Sequence, residues 1–239
     1  MNGSDIASNL SHVRERIERA AFSAGRNPHE ITLVAVSKTH PAAAVQAALA
    51  AGQCEFGENM VEEAWSKFAA PDAPLADRPQ ARLHLIGPIQ SRKAALAIAC
   101  RPALIHAVDR LKIASRLDRF AAEAGCTLDV LLEVNVSGEE SKFGFTPAEL
   151  QRDLETLLSL PHLNINGLMT IPPFDPAPEL ARPHFAALRV LQEMLAAHHG
   201  AAGWRQLSMG MSHDFEVAIA EGATLVRVGT AIFGARAGA

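Results

Sequence analysis

Ile6, Leu10, Val13, Ile17, Ala20 and Ala24 recur at steps of three and four. That spacing places them on one face of a helix over 6–24, with Gly25 as its stop. The pattern then changes. Residues 31–38, ITLVAVSK, are β-branched and almost wholly apolar, as expected of a strand buried on both faces. Similar short runs return at 54–57, 83–87, 104–108, 129–136, 165–170, 206–210 and 224–229. Helical patterns fill the intervals. One runs from Pro41 to Gly52, the next carries Val61, Ala64, Trp65 and Phe68 on one face, and another spans 91–100. Asp109 is expected to cap a helix bearing Ile113, Leu117, Phe120 and Ala124. Thr146-Pro147-Ala148-Glu149 reads as a capping box with Pro at the first helical position. A long helix ends near Gly200, and a short one covers 214–221. Eight strands alternating with helices predict a (β/α)8 barrel, an α/β fold of the TIM-barrel type, as one domain over 1–239. A doubly wound open sheet is the rival arrangement of the same pattern.

Composition narrows the function. The charge balance is 22 − 26 = −4, which argues against a nucleic-acid partner, since binding phosphates needs clustered Lys and Arg. No apolar stretch approaches the ~18 residues of a membrane span. The first twenty residues are amphipathic and lack the apolar core of a signal peptide. Cys54, Cys100 and Cys126 are odd in number and form no CxxC, so reduced, mostly buried thiols in a soluble cytoplasmic protein are expected. The chain contains no tyrosine, which removes one acid/base candidate at the outset.

In a barrel the chemistry lies where strands end. Those ends read Ser37-Lys38-Thr39, Gly57-Glu58-Asn59, His84 to Gly87, Asn135 leading to Ser141-Lys142, Met169-Thr170, Ser208 through Ser212, and Arg227-Val228-Gly229-Thr230. Loops after the last two strands commonly hold phosphate in this fold, and Gly229 and Thr230 with Ser208 suit a phosphate monoester. Lys38 closes an apolar strand. Desolvation lowers the pKa of an amine and makes it a nucleophile toward carbonyls. A lysine facing a phosphate site suits a phosphorylated aldehyde, of which pyridoxal phosphate is the obvious one.

The stretches VAVSKTHP, FGENMVEEA, HLIGPIQSRK, LEVNVSGEESKFGF, GLMTIPP and LSMGMSHDFEVAIAEGATLVRVGTAIFG resemble the pyridoxal phosphate homeostasis proteins. These are single-domain relatives of the alanine racemase N-terminal barrel, and the motifs run in family order from about residue 31 to 234. The resemblance implies that Lys38 holds pyridoxal 5'-phosphate as a Schiff base. It implies that Ser208, Gly229 and Thr230 hold the phosphate and that Arg227 faces the pyridine nitrogen. Asn59 and His84 would line the pocket, Met169 would pack near the ring, and Lys142 would lie at the pocket edge. Leu83, Met60, Glu62, Arg92 and His213 depart from the family pattern around the mouth of the site.

The family function implied is a cofactor carrier in intracellular homeostasis, with apo enzymes that use pyridoxal phosphate as receiving partners. The alternative is an amino-acid racemase. An arginine keeps its protons, so it donates to the ring nitrogen and leaves the ring a poorer electron sink. Racemisation also needs an acid/base on each face of the α-carbon. Alanine racemase draws its second one, a tyrosine, from a separate β-domain of the partner subunit, and this chain has no tyrosine to offer. A racemase reading would rest on His84 or another group. Carriage without robust turnover is therefore the expected reading.

Overall fold

The short apolar runs pair side by side. They form β1 (Thr32–Val36), β2 (Glu55–Glu58), β3 (Arg82–Leu85), β4 (Leu104–Val108), β5 (Leu128–Glu133), β6 (Leu163–Met169), β7 (Gln206–Met211) and β8 (Leu225–Val228). Each strand is parallel to the one before it, and β8 returns to β1 with Val34 opposite Arg227. That last pairing closes the barrel and excludes the open sheet. The computed structural model describes residues 3–139, 141–199 and 204–235.

Helices follow the strands: α2 (Ala42–Ala50), α3 (Val61–Ala64), α4 (Ala94–Ala99), α5 (Leu111–Glu123), α6 (Pro147–Leu158), α7 (Arg182–His199), α8 (Phe215–Ala220) and α9 (Thr230–Phe233). The capping box before α6 forms. Thr146 Oγ1 accepts from the Glu149 N–H, and a Glu149 carboxylate oxygen accepts from the Thr146 N–H. The expected cap at Asp109 does not form. Arg110 is the N-cap of α5, and Asp109 is buried at the end of β4 with one oxygen paired to Arg110. The helix after β2 also differs. After one α-helical turn it widens into a π turn over Trp65–Ala69, closed by Ala70 N–H on Trp65 O at 2.8 Å.

The helix preceding the barrel, α1 (Gly3–Ser23), buries Ile6, Leu10, Val13, Ile17 and Ala21. It packs on α2, α8 and α9. Because α9 has only four residues, it leaves a gap in the outer helical layer, and α1 covers it.

Most of the core lies between the sheet and the helices. A smaller apolar cluster fills the barrel: Val34, Leu104, Ala107, Leu131, Met169 and Leu225. Strand residues two apart share a face. Glu133 therefore shares the inner face of Leu131, one step nearer the C-terminal mouth, and Arg227 shares that of Leu225. Glycine permits one close approach in the wall. A Cβ on Gly167 would lie 1.9 Å from the Gln206 carbonyl oxygen, so β6 and β7 touch there through bare backbone.

Candidate functional site

The mouth is built from strand ends, and Lys38 leaves it first. The Ser37 N–H still pairs with Gly57 O at 3.0 Å, so the hydrogen bonding to β2 continues one residue past the end of β1. His40 N–H then turns back to Ser37 O, and Thr39 takes a φ of 66°. Lys38 sits half-buried at this turn. A buried ionic clamp holds the turn from behind. Lys67 Nζ, on the π turn, donates to Ser37 O at 2.9 Å, to Glu58 Oε1 at 2.8 Å and to Glu63 Oε1 at 2.7 Å. Glu63 also accepts the Thr39 N–H, and Glu58 accepts the Ser37 hydroxyl. Burial pushes the Glu58 carboxyl up, although the Lys67 ammonium pulls it back. The π turn places Lys67 where it reaches both carboxylates and the strand-end carbonyl.

Beside β1, the chain runs from Arg227 near the end of β8 into Gly229 and Thr230. The Gly229 N–H donates to Ser212 Oγ at 3.1 Å, and a Cβ on Gly229 would come within 3.2 Å of Val36 O. Gly229, Thr230 and Ser212 are all partly or fully exposed. Asn59, half-buried after β2, lies against Gly87 so closely that a Cβ there would meet Asn59 O at 2.3 Å. Lys142 Nζ donates to Pro172 O at 3.1 Å, which ties the loop after β5 to the loop after β6.

Four other residues expected at the site lie deeper. Met169 belongs to the apolar cluster inside the barrel. Arg227 is 3% exposed, and its Nη2 donates to Thr170 O at 2.9 Å. Its Nη1 donates to Ser208 Oγ at 2.5 Å. Ser208 is fully buried, and its hydroxyl also meets His106 Nδ1 at 2.8 Å. His84 is buried too, with one ring nitrogen on His106 and the other on Glu55. The hydroxyl at the mouth beside Gly229 is therefore that of Ser212 rather than Ser208.

Sequence reasoning passed over Glu133, His106, Glu55 and Lys67. The first two were visible as polar residues inside apolar runs, LLEVNV and LIHAV. Glu133 is 5% exposed, and its Oε2 has no hydrogen-bond partner; nor does Oδ1 of Asp109. Burial and the neighbouring Asp109 raise the Glu133 pKa to about 7, against the pull of Arg227 and Lys142. In the unfolded chain the group titrates near 4.5. The fold thus binds this proton more tightly, and stability falls as pH rises from about 4.5 to about 7. The full difference is roughly 3 kcal/mol. Glu133→Gln removes the titration. In urea denaturation of the cofactor-free protein, the variant gains on the wild type across that window, and parallel pH profiles would refute the assignment.

Residues 8–237 match the family model of the alanine racemase N-terminal domain. The chain is 49% identical over 233 residues to a pyridoxal phosphate homeostasis protein of Pseudomonas aeruginosa, covering 98% of this chain and 96% of that one. It is 44% identical over 237 residues to one of Escherichia coli, covering 97% of each. Among solved structures it is similar to PipY of Synechococcus elongatus with pyridoxal phosphate bound, with a TM-score of 0.83 and 39% identity over 96% of this chain and 100% of that one. An alanine racemase of Corynebacterium glutamicum shares the fold alone, with a TM-score of 0.74 and 19% identity, and this chain covers 62% of it. By full-length identity and by fold, the chain belongs to the pyridoxal phosphate homeostasis proteins, within the family of the alanine racemase N-terminal domain.

Proposed function

We propose that this chain binds pyridoxal 5'-phosphate at the C-terminal mouth of its barrel and carries it to other proteins, with Lys38 as the point of attachment. The observation that carries this reading is the pairing of β1 with β8. It sets a half-buried lysine beside a Gly-Thr turn, with a serine hydroxyl already on the Gly229 N–H. The donor set fits the cofactor. Gly229, Thr230 and Ser212 supply N–H and O–H groups for a phosphate. Arg227 uses two of its five N–H donors on protein oxygens, and a guanidinium can only donate. That suits an unprotonated ring nitrogen. When bound, the cofactor supplies an aldehyde that reacts reversibly with amines. The protein's part is to hold the Lys38 amine at the mouth, to anchor the phosphate, and to pair the ring nitrogen.

Carriage rather than turnover follows from the side chains available. The chain has no tyrosine to act as a second acid/base. One observation favours the racemase reading: Glu133 titrates near pH 7 on β5, the strand diametrically opposite β1 in an eight-stranded barrel. Four large apolar side chains at the mouth are exposed: Phe174 at 78%, Phe143 at 59%, Met60 at 58% and Ile171 at 37%. They follow β6, β5 and β2, on the face from which a cofactor leaves. We read them as a surface for apo enzymes that receive it. The free thiols of Cys54, Cys100 and Cys126 suit a reducing cytoplasm, although only Cys100 is buried, with Cys126 intermediate and Cys54 exposed.

Lys38→Ala tests the attachment. Titrated with pyridoxal phosphate, the wild type develops the visible absorbance of the lysine-bound cofactor and Lys38→Ala does not. The same absorbance in the variant would move the attachment to another lysine. The loaded wild type, incubated with L-amino acids in deuterium oxide, separates the two readings. Carriage predicts negligible α-deuterium uptake, and fast uptake abolished by Lys38→Ala would establish the racemase.

A further inference from the structure

Arg227 is a buried cation whose nearest hydrogen-bonded side chain, Ser208, is neutral. Burial brings its pKa down to about 10, while Glu133 and Asp214 act in the other direction. Four side chains in series lead away from it. Arg227 Nη1 meets Ser208 Oγ at 2.5 Å, and Ser208 Oγ meets His106 Nδ1 at 2.8 Å. His106 Nε2 meets His84 Nδ1 at 2.8 Å, and His84 Nε2 meets Glu55 Oε2 at 2.7 Å. The chain crosses the barrel from β8 through β7, β4 and β3 to the first residue of β2. Glu55 lies there, partly exposed and also paired with Arg82 at 3.3 Å.

With Glu55 a carboxylate and both rings neutral, the proton on every link is determined. A guanidinium only donates, so Ser208 Oγ accepts from Arg227 and turns its own proton to His106 Nδ1. His106 is wholly buried. Burial, together with the charge of Arg227, drives its pKa well below the ordinary value. The ring is therefore neutral, bare at Nδ1 and protonated at Nε2. It donates to His84 Nδ1, which must be bare in turn, so the His84 proton sits on Nε2 and goes to Glu55. A carboxylate only accepts. Burial works against the Glu55 charge, but the His84 hydrogen bond and the charge of Arg82 outweigh it and hold the carboxyl low. Every donor thus points the same way, from a fixed cation to a fixed anion. Hydrogen bonds aligned in this manner polarise one another.

We propose that Glu55, His84 and His106 are positioning residues for Arg227. Acting through Ser208, they hold the guanidinium in one orientation as a full cation, so that the ligand's ring nitrogen always meets a donor. This rests on the reading of the mouth as a pyridoxal phosphate site with Arg227 at the ring nitrogen.

The first measurement needs no substitution. In cofactor-free protein with nitrogen-15-labelled histidine, the proposal requires both rings to be neutral with the proton on Nε2. A proton on Nδ1 of either ring, or a cationic His84, overturns the chain. The second uses Glu55→Leu and Glu55→Gln, at the solvent end and away from the mouth. Leu removes the acceptor, whereas the Gln side-chain carbonyl still accepts from His84. Loaded with pyridoxal phosphate, Glu55→Leu should show a displaced visible maximum and Glu55→Gln the wild-type one. An identical maximum in all three overturns the coupling to Arg227. Loss of stability alone would move both variants without separating their spectra. Arg227→Met tests the underlying reading separately. If its maximum matches the wild type while the histidine tautomers are as required, the ring-nitrogen contact is wrong and the hydrogen-bond chain stands.

Discussion

Lys67→Met is expected to lower stability by about 3–5 kcal/mol, because it leaves Glu58 as an uncompensated charge in the interior. Glu58 is 0% exposed, and Lys67 is its charged partner at 2.8 Å. The substituted side chain fills similar volume, so little of the loss comes from packing. In a chain of this size the change amounts to a fall in melting temperature on the order of 10 °C. Circular dichroism melts read it directly. Adding Glu58→Gln should restore a large part of the loss, since a neutral amide can stay buried with the Ser37 hydroxyl as partner. If the double variant is no more stable than the single one, the charge is not the cause. A second effect is separable from the first. Lys67 also holds the Ser37 carbonyl, and its partner Glu63 holds the Thr39 N–H. The Lys38 turn thus loses its clamp. Uptake of pyridoxal phosphate by Lys67→Met should weaken at temperatures where the variant is still folded.

Gly167→Ala is expected to be worse, at more than 4–5 kcal/mol, which belongs to the exceptional end of single substitutions. The added methyl would lie 1.9 Å from the Gln206 carbonyl oxygen and 2.7 Å from its carbon. Both are backbone atoms of the neighbouring strand and have no flexible end to swing away. Gly167 also has a φ of 151°, at the point where the β5–β6 register shifts. Gly125→Ala serves as the comparison. Gly125 has a φ of 65° but nothing within 4 Å of a Cβ, so only the backbone conformation is penalised there, at about 1–2 kcal/mol. Equal losses in the two variants would mean that β6 and β7 can part easily.

The strands were readable because each is short, apolar and bounded by turn residues, and the capping box at Thr146 marked its helix by local chemistry alone. The interior of the barrel was not readable, for a definite reason. A strand buried on both faces carries no contrast between a wet side and a dry one. Alternation says that His84 shares a face with Ile86 and Ser208 with Gly210, but not whether that face meets the helices or the barrel axis. Both residues therefore read as mouth residues from their nearness to strand ends. Lys67 is hidden in the sequence for another reason. Four residues from Glu63, it looks like half of a solvated helix pair. The π turn and the buried Glu58 behind it turn the same spacing into an interior clamp. Lys38, Gly229 and Thr230 stand at strand ends in the sequence and at the mouth in the structure, where β1 and β8 lie side by side.

The α1 helix that covers the gap beside α9 also bears on how the chain reaches its fold. Asn9 donates to the carbonyl of Ile232, and Arg16 pairs with Glu216, contacts that join the first helix to the last two. During synthesis the first twenty residues emerge long before their partners exist. Their apolar face, Leu10, Val13 and Ile17, can find α2 but cannot dock fully until the last strand and helix have left the ribosome. Closing a ring between two ends of the sequence is intrinsically slow. The nascent protein therefore passes through a long interval with an open β1–β8 seam and an uncovered amphipathic helix, the condition under which chaperones act and incomplete barrels associate.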